Sequence, residues 1–176
     1  EDPLPHVRYW AASLLGRYVD AEAVEGLAAL TRDSDPRVRI VSIRTLTKMR
    51  RPSALPIAIS LLEDPVGFVR AQAIRSLAAL GIDEENPVLR RWYARRISPL
   101  LADTVWEARL AAKEALVGLG PAVWREVAVQ LASPDALARN GSAEVLRNIG
   151  LGERLIDEIA DGLLPSAQQI SILEAA

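Results

Sequence analysis

Apolar residues recur every three or four positions in several short segments of this chain, and one such segment returns with small changes. Residues 63–81 read EDPVGFVRAQAIRSLAALG, in which an acidic residue and a proline precede apolar residues at helical spacing and a glycine follows them. This spacing places the apolar side chains on one side of an α-helix. The segment therefore predicts an amphipathic helix that buries one stripe of side chains.

Five copies of this segment align on what we term the repeat-start residues. These are Asp2, Asp33, Asp64, Asp103 and Ser133, separated by 31, 31, 39 and 30 residues. An arginine follows six residues after each of them, and these ladder arginines are Arg8, Arg39, Arg70, Arg109 and Arg139. A leucine follows thirteen residues after each, namely Leu15, Leu46, Leu77, Leu116 and Leu146. The leucines share a helical stripe with small apolar residues, which predicts that all five are buried.

Each copy is predicted to be the second helix of a helical pair. The repeat-start residue is of a type that caps helix N-termini, and Pro3, Pro65 and Pro134 follow it at the expected first helical position. Gly81, Gly120 and Gly150 come where a left-handed cap is expected. We therefore expect second helices starting near residues 2, 33, 64, 103 and 133, and first helices over 21–31, 53–62, 87–102 and 121–132, with an incomplete last unit in 151–176.

A helical pair of this length buries too little surface alone and must stack on its neighbours, which is typical of a solenoid. The unit resembles the HEAT repeat in its short bacterial, phycobilin-lyase-type form. The resemblance rests on the Asp-x5-Arg pattern, in which an arginine follows six residues after an aspartate, as in Asp33 and Arg39 or Asp64 and Arg70. The resemblance implies an all-α, right-handed α-α solenoid of about five and a half helical hairpins. It also implies a structural role for the ladder arginines. We expect one domain over 1–176, as part of a longer protein.

Composition narrows the classes of function. The chain has 176 residues, half of them hydrophobic, and a net charge of -2, which argues against nucleic acid as the main partner. It has no cysteine, so disulfides and thiolate metal sites are excluded and the compartment is left open. No apolar run is long enough to insert into a membrane. A cytoplasmic location is the expectation, with tethering to a membrane through flanking segments as the alternative.

Candidate catalytic chemistry is sparse. The chain has no cysteine and one histidine, His6. A catalytic triad could therefore form only around His6, near the start of the sequence, and no multi-histidine metal site can form. The acidic run Asp83-Glu84-Glu85 precedes Asn86-Pro87 and reads as a solvated loop. We expect no catalytic residue, no metal and no cofactor. The alternative is a HEAT-like enzyme of the chromophore-lyase or DNA-glycosylase type.

The copy with the 39-residue spacing carries a basic and aromatic segment that forms a second candidate patch. Its residues are Arg90, Arg91, Trp92, Tyr93 and Arg95. Such interleaving could stack on bases or contact another partner. The competing interpretation is an ordinary helix with a buried aromatic stripe and a solvated arginine face, whose aliphatic stems cover the rings.

The second helices should line one continuous face, and their outward positions carry more apolar side chains than a surface without a task requires. The residues proposed to bind a partner there are Tyr9, Ile40, Arg44, Phe68, Arg75, Leu110 and Glu114, with Phe68 as the anchor. Charge along this row changes from positive at Arg44 and Arg75 to negative at Glu114 and Glu144. This predicts binding of a protein segment, from a partner or another domain of the parent chain. The alternative is that adjacent units pack over part of the row.

Overall fold

The computed structural model describes residues 4–18, 20–81, 86–152, 156 and 161. Within this part of the chain all regular secondary structure is helical and no strand occurs. None of the helices described there is long and apolar enough to cross a membrane. The chain divides into two compact units, Glu1–Leu80 and Gly81–Ala176, and the prediction of one domain over 1–176 stays a prediction.

The described part of the first unit contains five α-helices. They are α1 (Pro5–Leu15), α2 (Ala21–Leu30), α3 (Pro36–Lys48), α4 (Ala54–Ser60), which continues into a 3-10 turn at Leu61–Glu63, and α5 (Gly67–Gly81), whose last residue falls in the second unit. Helices α2 and α4 are first helices and α1, α3 and α5 are second helices. Helix α3 packs against both α1 and α2, so that successive second helices lie side by side.

The second unit repeats the arrangement. It contains α6 (Pro87–Ile97) with a 3-10 turn at Ser98–Ala102, α7 (Trp106–Gly118), α8 (Trp124–Ala128) between 3-10 turns at Pro121–Val123 and Val129–Ala132, and α9 (Ala136–Asn148). The α-helical part of α6 ends just before the 3-10 turn that contains Pro99, as expected from a proline without a backbone N–H. The four predicted first-helix ranges are confirmed, although α8 and its flanking turns are only partly α-helical.

The predicted apolar stripe is buried in four of the five copies. Leu46, Leu77, Leu116 and Leu146 are fully buried, together with small residues on the same side of their helices. The prediction is wrong for Leu15, which is only partly buried, and Val7 on the same stripe is 37% exposed. Leu15 still packs against the buried cluster of Ala12, Leu27, Val41, Leu46 and Ala54, so this side of α1 is covered in part and not completely.

The predicted helix starts are corrected by three residues in every copy. The second helices begin at Pro5, Pro36, Gly67, Trp106 and Ala136. The repeat-start carboxylates of Asp33, Asp64 and Asp103 instead accept hydrogen bonds from backbone N–H groups two residues later, at 2.8, 2.9 and 2.8 Å. They therefore form a turn ahead of the helix.

Two of the three predicted glycine caps are confirmed. Gly120 and Gly150 have φ angles of +80° and +100°, a conformation that residues with a Cβ rarely adopt. Gly81 was wrongly predicted as a cap, because it is the last residue of α5. At the corresponding position of the second copy, Arg50 has a φ of +49°.

Candidate functional site

A groove lies between the second helices α1 and α3 of the first unit. Its cavity of about 380 Å³ is lined by Pro5, His6, Tyr9, Arg37, Ile40, Val41 and Arg44. Tyr9 and Ile40 are partly buried and supply apolar surface, while the side chain of Arg44 is exposed. The predicted partner-binding residues Tyr9, Ile40 and Arg44 are therefore brought together in this α1–α3 groove.

The groove continues toward the C-terminal ends of the two helices in a second cavity of about 370 Å³. This cavity is lined by Ser13, Gly16, Arg17, Arg44, Thr45, Lys48 and Met49. Arg44 lines both cavities, and Arg17 and Lys48 add two exposed cations. Among the described residues that line the two cavities none is acidic, so the α1–α3 groove combines apolar surface with positive charge.

Gly16 closes part of this second cavity by allowing α1 to approach α3. A Cβ placed on Gly16 would lie 2.6 Å from the methyl carbon of Thr45, which is far inside van der Waals contact. Thr45 is buried and its branched side chain has little freedom to move. The absence of a side chain at residue 16 therefore sets the spacing of the two helices at the basic end of the α1–α3 groove.

The second unit has an equivalent groove between α7 and α9. Its cavity of about 130 Å³ is lined by Leu101, Arg109, Lys113, Leu137, Asn140, Gly141 and Glu144. In both grooves the later helix contributes the residues at offsets 4, 7, 8 and 11 from the repeat start, such as Ile40 and Asn140 at offset 7. The repeat therefore produces one type of cavity, whose chemistry changes with the copy.

The other predicted partner-binding residues lie outside these cavities. Phe68 is 56% exposed in the first turn of α5, and Arg75 is exposed two turns further along that helix. Leu110 is partly buried and Glu114 exposed on α7, but neither lines the α7–α9 groove. Sequence reasoning missed Arg17, Lys48 and the groove position of Arg109.

The second candidate patch is largely engaged in packing within its own unit. Tyr93 is buried and meets the Trp92 ring edge-to-face at 5.1 Å, and the Arg96 guanidinium lies 3.5 Å from the centre of the Trp92 ring. Arg91 donates from Nε to the carbonyl of Ala122 at 3.3 Å.

The remaining arginines of this patch are half-buried or paired. Arg95 lies 3.5 Å from the buried carboxylate of Glu126, and Arg90 is half-buried. The segment resembles the ordinary helix of the competing interpretation, with arginine stems and guanidinium groups placed against aromatic rings.

The ladder arginines Arg8 and Arg39 form bidentate ion pairs with the next repeat-start residue. Arg8 donates from Nε and Nη2 to the carboxylate of Asp33 at 2.6 and 2.8 Å. Arg39 makes the same pair with Asp64 at 2.8 and 2.8 Å, and both partners are buried. This two-point geometry matches a planar guanidinium to a planar carboxylate.

The third guanidinium nitrogen binds the backbone. Nη1 of Arg39 donates to the carbonyls of Asp33 and Ser34 at 2.8 and 3.2 Å. Arg70 donates from Nη1 to the carbonyl of Asp64 at 2.6 Å. Arg109 and Arg139 make the same contacts at the start of their own repeats. Each ladder arginine after the first is therefore fixed to the turn that precedes its own helix.

The hydrogen bonds from Arg8 hold the pKa of Asp33 below the ordinary aspartate value of 3.8. A carboxylate with a lowered pKa stabilises the folded state above its unfolded pKa, and this contribution is lost as the pH falls through the folded value. We expect Asp33→Asn to destabilise the chain at neutral pH, while the amide oxygen can still accept from the Asp35 N–H. The difference in urea midpoint from the unmodified chain should be constant down to about pH 5 and shrink below about pH 4.

Urea denaturation at a series of pH values checks this expectation. Asp35, whose pKa Arg37 lowers to about 2, is present in both proteins, so the large effect of Arg37 on its titration is common to the two curves. A difference in midpoint that does not change between pH 7 and pH 2.5 would show that the charge of Asp33 contributes nothing to folding.

Comparison with known protein families identifies the repeat. A family model described as HEAT repeats matches residues 1–78 and 25–99, which together span more than half of the chain. A comparison with curated protein sequences finds no significant match.

Two examples illustrate the solved structures that are similar to the chain. One is an engineered protein, a Northeast Structural Genomics Consortium target, with 20% identity, 97% of this chain and 83% of that chain covered, and a TM-score of 0.51. The other is the complex of CpcE and CpcF of phycocyanin lyase from Nostoc sp. PCC7120, with 22% identity, 99% and 90% covered, and a TM-score of 0.46. The similarity to the engineered protein concerns the fold alone. The TM-score with the lyase complex is too low to support an argument.

Proposed function

Since the chain belongs to the HEAT-repeat family, we propose that it is a non-catalytic interaction module whose second helices bind a protein segment. The observation that carries the proposal is the α1–α3 groove, where partly buried Tyr9 and Ile40 lie between exposed cations. Aromatic and aliphatic side chains in a shallow pocket are typical anchor points for a partner. The partner or another domain of the parent chain would supply the segment.

The charge of the groove defines the segment further. Arg17, Arg44 and Lys48 are exposed, and Arg37 at the other end is paired with Asp35. A segment with an apolar residue between acidic residues would place its apolar side chain against Ile40 and its carboxylates near these cations. We propose that the groove prefers such acidic, amphipathic segments.

We further propose that the chain has no turnover of its own. Its single histidine, His6, is exposed at the start of α1, and the described residues contain no cluster of three or more metal-ligating side chains. These features give no support to an enzymatic alternative of the lyase or glycosylase type. The proposal therefore assigns binding, and not chemistry, to the groove.

Selection from a random peptide library displayed on phage tests the binding proposal. We expect enriched peptides to contain apolar residues flanked by Asp or Glu, and Ile40→Asp to reduce their affinity at least tenfold by introducing a charge that repels them. Arg44→Glu should have a similar effect from an exposed position, where unfolding is not a concern. Val129→Asp, an apolar-to-acidic change at a residue that is 69% exposed in the other unit, is the matched control.

The proposal is wrong if the enriched peptides carry no acidic residues, or if Arg44→Glu and Val129→Asp affect binding equally. A single-stranded DNA oligonucleotide that competes as well as the selected peptides would replace the protein segment by nucleic acid. Circular dichroism of each variant verifies that the helices are retained.

A further inference from the structure

Arg109, the ladder arginine of the fourth repeat, differs from Arg8 and Arg39 in what its Nε and Nη2 groups bind. Arg109 is fixed by Nη1, which donates to the carbonyls of Asp103 and Thr104 at 2.7 and 3.2 Å, as Arg39 is fixed in the second repeat. The Nε and Nη2 groups of Arg39 bind Asp64. The corresponding groups of Arg109 donate to none of the described residues.

The cause of this difference is the next repeat-start residue. Where Arg8 and Arg39 meet Asp33 and Asp64, the chain has Ser133. The Ser133 hydroxyl accepts a hydrogen bond from the backbone N–H of Asp135 at 3.2 Å. Asp33 accepts the same bond from the N–H of Asp35, so the serine preserves the turn. A serine hydroxyl has one oxygen and no charge, so it cannot serve as the planar bidentate acceptor that the guanidinium fork matches.

Arg109 also faces accessible space. It is half-buried and lines the α7–α9 groove of about 130 Å³, next to Lys113, Asn140 and Glu144. Lys113 donates to Glu144 at 2.8 Å, so the single acid of this groove is paired, and the guanidinium contributes an additional positive charge. A planar carboxylate would thus meet an oriented, charged donor pair in a cavity of matching size.

From this arrangement we infer that Arg109 binds the side-chain carboxylate of an Asp or Glu in the partner segment. The partner supplies the acid that the fifth repeat lacks and completes the ladder from outside. The inference rests on the proposed function, because it assumes that a protein segment lies along the second helices. It adds a specific anchor in the second unit, chemically distinct from the apolar Ile40 contact.

The test needs no knowledge of the natural partner. The probe is N-acetyl-aspartate α-amide, whose only charge is the side-chain carboxylate, and N-acetyl-asparagine amide is its neutral control. The readout is the ¹H–¹⁵N resonance of the Arg109 Nε–H group, assigned by its loss in Arg109→Lys. We expect a saturable shift with the acidic probe, no shift with the neutral one, and a stronger response in Glu144→Gln, which removes the one acid.

Ser133→Asp provides the decisive variant, because it restores the missing acid within the chain. The new carboxylate should accept hydrogen bonds from Nε and Nη2 of Arg109, and its effective concentration is high because it belongs to the same chain. It should therefore weaken probe binding at least tenfold. The added ion pair should also raise the urea midpoint. Arg139→Gln, at the next ladder position, should leave probe binding unchanged and serves as the control. Inorganic phosphate in place of the acidic probe tests whether the site is specific for the planar carboxylate.

The inference is overturned if the unmodified chain shows no saturable shift, if Ser133→Asp binds the probe as well as the unmodified chain, or if phosphate binds more tightly than the probe. These outcomes are separable from failure of the proposed function. Ile40→Asp and Arg44→Glu, which test the α1–α3 groove, leave every group at Arg109 in place and should not alter its response to the probe.

Discussion

Replacing Asp64 by Ala is expected to lower the free energy of unfolding by about 3–5 kcal/mol, the range for breaking a buried ion pair by removing one partner. The Asp64 carboxylate accepts from Nε and Nη2 of Arg39 and from the backbone N–H of Val66. The exposed fraction is 9% for Arg39 and 8% for Asp64, so water cannot readily replace the lost acceptor. The guanidinium is left buried with two donors unsatisfied.

A double-mutant cycle separates the interaction from the cost of a stranded charge. Arg39→Leu combined with Asp64→Ala removes both charges, and the double variant should be less destabilised than the sum of the two single variants. Arg37→Ala is the matched control, because it removes an arginine whose side chain is 74% exposed from its pair with Asp35. Its effect on the urea midpoint should be small.

Additive effects in this cycle would contradict the structural role of the ladder. So would a loss from Asp64→Ala no larger than that from Arg37→Ala. In either case the Arg39–Asp64 ion pair would not be a net source of stability, and its presence would have to be explained by binding.

The repeat, the helical class and most of the core could be read from the sequence because they depend on local spacing. One leucine position, thirteen residues after the repeat start, lies on the apolar stripe of each second helix, and it is fully buried at Leu46, Leu77, Leu116 and Leu146. Such a stripe is buried against whichever element packs on that side of the helix. The same logic failed at Leu15. Burial depends on a neighbour as well as on the pattern, and the sequence of α1 does not reveal which of its sides is covered.

The exact helix starts could not be predicted because capping types are ambiguous. Asp33 and Asp35 are both suitable N-caps, and the structure uses Asp35 for α3 while Asp33 forms the turn and binds Arg8. The partner of Arg8 lies 25 residues away in the chain, so the pair depends on how two repeats stack. Residue spacing within one repeat carries no information about that contact.

The candidate site was predictable only in outline. Outward offsets selected Tyr9, Ile40 and Arg44, which the structure gathers in one groove, because all three follow from helical periodicity. The basic end at Arg17 and Lys48 was missed, since these residues lie at the end of the aligned segment, where the repeat pattern is weak. Arg109 was assigned with the other ladder arginines, although the serine that distinguishes it stands in the sequence at residue 133.

Truncation of Leu77 to Ala is expected to cost about 2–5 kcal/mol of stability, the range for a fully buried leucine. Leu77 has no exposed surface and lies on α5 with buried Ala73 and Ile74 one turn earlier. Removing three carbon atoms leaves a cavity, and the cost rises with how little the surroundings can collapse into it. Urea denaturation followed by circular dichroism measures the loss directly.

The informative comparison is Leu14→Ala, which deletes the same atoms from a leucine that is 48% exposed on α1. Both changes replace leucine by the best helix former, so propensity acts equally in the two variants and the difference isolates burial. Leu14→Ala should shift the urea midpoint by much less than Leu77→Ala, since little apolar surface leaves water at residue 14 on folding. Equal losses in the two variants would mean that the stripe ending at Leu77 is not the core of the repeat. The register that aligns all five copies would then have to be moved.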